Sequence, residues 1–94
     1  MRNIHALLSS GVQTGDVAIK ATEGIVYWAT LSCTATGGVV GLANSATNST
    51  TYLWTITLPT ASYVHCVFDP PLKFSTAIWL DVVGGTWTVV VGYV

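Results

Sequence analysis

The residues with the best claim to chemistry are His65, Cys66 and Asp69, which fall within five positions of one another. An imidazole beside a thiol is the pairing that nucleophilic catalysis uses, with a carboxylate to orient the base. Their spacing argues against that use. On a strand, His65 and Cys66 point to opposite faces, so the ring cannot take the proton of its neighbour. His65 and Asp69 share a face but stand about 13 Å apart at ~3.3 Å per residue. The bland alternative is a half-buried histidine satisfied by a neighbouring group. The remaining titratable residues are His5, Asp16, Glu23, Asp81, Arg2, Lys20, Lys73 and Cys33, and no pair of them has motif spacing. The expectation is a chain that is not an enzyme, with no catalytic residues.

Metal and cofactor chemistry fare no better. A metal site needs three or four convergent ligands, and neither zinc-type nor EF-hand spacing occurs. No glycine-rich phosphate cradle stands between a strand and a helix. Neither a metal nor a cofactor is expected. Cys33 and Cys66 lack CxxC spacing and read as two buried thiols, with a cross-strand disulfide as the less favoured alternative. Asn48-Ser49-Thr50 is a formal glycosylation sequon inside a polar loop. Trp28, Trp54, Trp79 and Trp87 could stack on sugar rings. Their neighbours are mostly Thr and Val rather than the Asp, Asn or Arg that fix hydroxyls, so packing is the preferred role.

The elements that would carry these residues are strands. Threonine and valine are the commonest residues, and both are stiff at χ1, which favours pleated structure. Alternation suggests strands over Ile4 to Leu8, Val17 to Thr22 and Ile25 to Thr36. In the last, Ile25, Tyr27, Ala29, Leu31 and Cys33 share one face, opposite Val26, Trp28, Thr30 and Ser32. Gly37-Gly38 and Gly84-Gly85 read as two-residue hairpin turns. Tyr52, Trp54, Ile56 and Leu58 alternate with Thr51, Leu53, Thr55 and Thr57, and Pro59 is expected to end that strand. Ser62 to Asp69, Leu72 to Phe74, Ala77 to Val83 and Thr86 to Val94 follow. The expected fold is all-β, a jelly-roll-like antiparallel β-sandwich of about eight strands with a short N-terminal arm. Residues 1–15 form the arm or an edge strand, and residues 16–94 a single sandwich domain.

Composition narrows the function further. Ninety-four residues make one domain, and only 7% are charged against about 25% in typical soluble domains. Three cations cannot neutralise many phosphates, so nucleic acid is not an expected partner. No apolar run approaches the ~20 residues of a spanning helix, and a closed membrane barrel needs at least about eight spanning strands of 9–11 residues. A membrane is therefore not expected either. The N-terminus, with its apolar core broken by His5, does not read as an ordinary export signal.

The outward faces carry Thr, Ser, Val and Trp where a sandwich normally carries charge, as at Val26 and Trp28, Trp79 and Val83, Thr88 and Val90. Surfaces of this kind mark association. A homo-oligomer is expected, with a trimer favoured, and Ile4, Leu7, Leu8, Trp28 and Trp79 as interface anchors.

Three stretches carry a likeness to a known class. They are Asn3-Ile4-His5-Ala6-Leu7-Leu8, the run from Ala21 to Tyr27, and the ending from Phe68 through Pro70-Pro71-Leu72-Lys73-Phe74 to Gly84-Gly85-Thr86-Trp87-Thr88-Val89-Val90-Val91. With them the chain resembles small β-rich virion proteins of tailed phages, of the head decoration (cement) type. The resemblance implies a structural protein on the capsid surface, assembled in the host cytoplasm, that binds the major capsid protein and bridges capsomer joints. The rival expectation is a carbohydrate- or receptor-binding β-sandwich module of a phage tail or fibre.

Overall fold

The computed structural model describes residues 8–94, apart from the side chains of Ala35 and Thr36. Among the described residues there are six strands and no helix: β1 (Leu8–Ser9), β2 (Val17–Lys20), β3 (Gly24–Ala43), β4 (Tyr52–Phe74), β5 (Ile78–Val83) and β6 (Trp87–Tyr93). All belong to one sheet and every pairing is antiparallel. The all-β class holds. The strands form a single curled sheet rather than a succession of short hairpins.

The organising element is β3, 20 residues long. Along one edge it pairs with the 23-residue β4 over nearly its whole length. Along the other edge it pairs with two strands in series: Val26–Cys33 with β6, and Val39–Ala43 with β5. Gly84-Gly85 therefore does not close a hairpin. Both glycines have positive φ, 74° and 60°, and they re-aim the chain so that β5 and β6 follow one another along the same strand. Gly37-Gly38 is no turn either. It lies inside β3 where three backbones crowd together, and a Cβ on Gly38 would sit 2.2 Å from the Val83 carbonyl oxygen.

Pro59 does not end its strand. Among the described residues only one edge of β4 is paired, and edge strands tolerate proline. A straight strand of 23 residues would reach about 76 Å, yet the longest dimension of the molecule is 44 Å. β4 bends back so far that Trp54 and Phe68, fourteen positions apart, pack edge to face with ring centroids 5.1 Å apart. The sheet is thus doubled over, and its two halves enclose the core.

That core is Val26, Ala29, Leu31, Val40, Leu42, Phe74, Ile78, Leu80, Trp87, Val89 and Val91, each nearly or completely excluded from water, with Cys33 at its margin. Val26 is a correction to the alternation reading, which put it on the outward face with Trp28. The register shifts between Val26 and Trp28, so one extra residue turns Val26 inward and leaves Tyr27 exposed. Asn44 ties the β4–β5 connection: its Oδ1 accepts from the Thr76 and Ala77 amides at 2.8 and 3.3 Å, and its Nδ2 donates to Ser75 Oγ at 2.9 Å.

Candidate interaction surface

His65 sits on the outward face of β4 opposite Thr30, and its Nδ1 lies 2.6 Å from the Thr30 hydroxyl. Its ring leans on Trp28 with centroids 5.7 Å apart. Cys66 faces the core side, where burial pushes its thiol pKa up. A thiol held protonated on the opposite face from the imidazole is a poor nucleophile. Cys33 and Cys66 are both free, and Cys33 Sγ donates to the Thr60 carbonyl at 3.1 Å. Among the described residues no three His, Cys, Asp or Glu side chains gather around a metal-sized space.

One polar cluster escaped the sequence reading. Asp81 is 3% exposed, and the Tyr52 hydroxyl donates to its Oδ2. The two lie 29 positions apart, on strands β4 and β5 that flank β3, and only the register brings them together. Between them is Gly41, where a Cβ would meet the Tyr52 ring at 2.3 Å, so the ring lies directly over the glycine. The Tyr52 pKa is pushed up to about 12, first by the hydrogen bond to Asp81, then by burial and by the charges of Asp81 and Asp16. The same construction recurs on β6. Trp28 covers its cross-strand partner Gly92, where a Cβ would stand 2.2 Å from the indole. These two aromatics act as struts on the outward faces, and each occupies space that a side chain on the glycine would fill.

The charges that remain are unevenly placed. Lys20 and Lys73, the cations among the described residues, both line an open cavity of about 530 Å³ at one end of the sheet, together with Glu23 and Val94. The long outward surface carries exposed apolar groups instead: Tyr63 is 79% exposed, Val67 70%, and Leu53 and Val83 about half.

The five anchors expected from the sequence scatter. Ile4 and Leu7 lie outside the described residues. Leu8 is half exposed at the sheet edge, paired with Tyr93. Trp28 and Trp79 are both half-buried on outward faces, Trp28 over Gly92 and Trp79 between Ala43 and Ala18. The Trp79 indole N–H is buried without a hydrogen-bond partner among the described residues. Trp87 is wholly internal and donates to the Gly84 carbonyl at 2.8 Å.

The surface that sequence reasoning missed is the flank formed by β4. Its inward row, Trp54, Ile56, Leu58, Val64, Cys66 and Phe68, is only half-buried. The β3 residues directly opposite, Leu42, Val40, Leu31 and Ala29, are sealed. The signal was present in the alternation from Tyr52 to Phe68, but the expected break at Pro59 hid its length. No known protein family, no curated protein and no solved structure matches this chain.

Proposed function

We propose that this chain is a non-enzymatic structural protein that works by association, and specifically a capsid decoration (cement) protein on the outside of a phage head. The observation that carries the reading is the surface: Tyr63, Val67 and Val83 are exposed, while Lys20, Glu23 and Lys73 are drawn together at one end. An apolar, nearly uncharged face of this kind favours burial against another protein over contact with nucleic acid. The sequence likeness to phage decoration proteins supplies the setting. In this reading the two facing halves of the curled sheet are the layers of a jelly-roll-like sandwich, and the protein acts as a homo-oligomer. Its partner is the major capsid protein, and its place is the capsid surface. Binding only the assembled shell stabilises that shell by mass action, and contacts repeated around a symmetry axis add through multivalency.

The test is co-sedimentation of the purified protein with phage heads stripped of accessory proteins. Saturable binding at a fixed ratio to capsomers supports the proposal. Absence of binding, with glycan binding that is lost in Trp28→Ala, overturns it in favour of a carbohydrate-binding module.

A further inference from the structure

We infer that the edge of β4 left unpaired among the described residues is the self-association surface, and that a second copy of this chain pairs with it antiparallel about a two-fold axis centred on His65. The inference deepens the homo-oligomer part of the proposed function and rests on that reading.

Among the described residues β4 pairs with β3 alone, so alternate residues along its outer edge leave their N–H and C=O groups without a strand partner. Natural edges are blunted by charge, brevity or proline. Here the run from Thr60 to Asp69 holds one formal charge, Asp69 at its end, and no proline. Pro59 and Pro70 bracket it, which limits continuous pairing to the residues between. Beneath that run, Val64, Cys66 and Phe68 are half-buried and face the core, so a strand laid alongside would also cover the open side of the core.

The occupant is another copy for three reasons. First, the chain has low net charge, −1, so copies meet little repulsion. Second, the ten-residue run from Thr60 to Asp69 spans about 33 Å at ~3.3 Å per residue, long enough for continuous antiparallel pairing with its own copy. Third, the edge fits itself better than it fits the other edge of the sheet. Along that other edge β1 and β2 supply two and four residues. Their neighbours already satisfy the exposed amides of β5 and β6, as Asp16 Oδ1 does for Val82 and Ser10 Oγ for Val91. A head-to-tail ring, including the trimer expected from sequence, needs β4 to match that edge. An isologous pair needs only β4.

Centring on His65 sets the exposed Tyr63 of one copy against Val67 of the other, on the same face of a continuous sheet. This register makes the inference testable. The mass of the wild-type protein in solution, by light scattering or native mass spectrometry, is expected to be twice the 9.9 kDa of the chain. The double variant Tyr63→Lys/Val67→Lys places like charges opposite each other twice and is expected to run as a monomer with an unchanged far-ultraviolet spectrum. Tyr63→Lys/Val67→Glu places opposite charges in the same pairs and is expected to restore the dimer. A wild-type monomer or trimer, a lysine pair that still dimerises, or a Lys/Glu pair that stays monomeric overturns the inference. A monomer that still saturates stripped heads overturns the inference and leaves the decoration reading standing. A dimer that ignores heads does the reverse.

Discussion

The two flanks of this sheet are built from similar residues and finished differently. On one side, β5 and β6 bury Ile78, Leu80, Trp87, Val89 and Val91 completely, and the segment from Leu8 to Lys20 lies along them. Gln13 exchanges both backbone hydrogen bonds with Val89, and Ser10 and Asp16 lend side-chain oxygens to the remaining amides. On the other side, β4 carries an equally apolar row but nothing lies beyond it among the described residues. Short polar segments finish a sheet by satisfying its backbone, and an apolar strand left unaccompanied is an offer of pairing. On the proposed reading, the difference separates what stabilises the monomer from what brings it to a partner.

The sharpest way to break the comparison is to make one substitution on both sides of it. Val89→Ala, in the sealed β6 row, is expected to cost about 2–3 kcal/mol, from lost transfer energy and the cavity left behind. Val64→Ala, in the open β4 row, is expected to cost about 1 kcal/mol in dilute protein, where no partner covers it. Urea unfolding of both variants reads the two values, and equal losses would contradict an open flank. Next in size are the struts. Gly92→Ala drives a methyl into the Trp28 indole and is expected to cost about 1–3 kcal/mol as the ring is displaced. It should also red-shift and weaken the tryptophan fluorescence.

Tyr52→Phe removes the hydroxyl that donates to buried Asp81, for an expected loss of about 1–3 kcal/mol near neutral pH. Its pH signature is more specific. The folded-state value of Tyr52 is raised from 10.0 to about 12, so the folded protein holds that proton more tightly than the unfolded chain. The stability it contributes is full below pH 10 and is lost as pH rises toward 12. Unfolding midpoints across that window should fall for the wild type, and Tyr52→Phe should lack that component of the fall. The smallest expected effect on folding belongs to the edge itself. Tyr63→Lys and Val67→Lys alter exposed side chains and should shift stability by about 0.5 kcal/mol or less, while association is abolished.

How much of this was legible in the sequence depends on what each feature rests on. The alternation of Trp54, Ile56 and Leu58 against Thr55 and Thr57 was readable because that stretch pairs with β3 in unbroken register, whereas a register shift at Leu42/Ala43 turns Tyr52 to the outward face, away from the row it was expected to share with Trp54. Val26 was misread because, against β6, one extra residue before Trp28 reverses the parity, and no local residue type announces it. Gly37-Gly38, Pro59 and Gly84-Gly85 were read as punctuation. They meet instead where three stretches of backbone crowd together, a tertiary demand that a linear pattern does not display. The same limit hid the Tyr52–Asp81 bond and the open flank, since both depend on which strands become neighbours. The placement of His65 and Cys66 on opposite faces was legible, because strand periodicity alone required it.

The most direct measurement of the central claim is amide hydrogen exchange of the wild-type protein at rising concentration, resolved along residues 60–69. Pairing through the β4 edge predicts that protection in this run grows with concentration, while sealed Val40 and Leu42 stay slow throughout. Rapid exchange at alternate positions of the run, unchanged at concentrations where the protein is oligomeric, would place the association elsewhere and contradict the account.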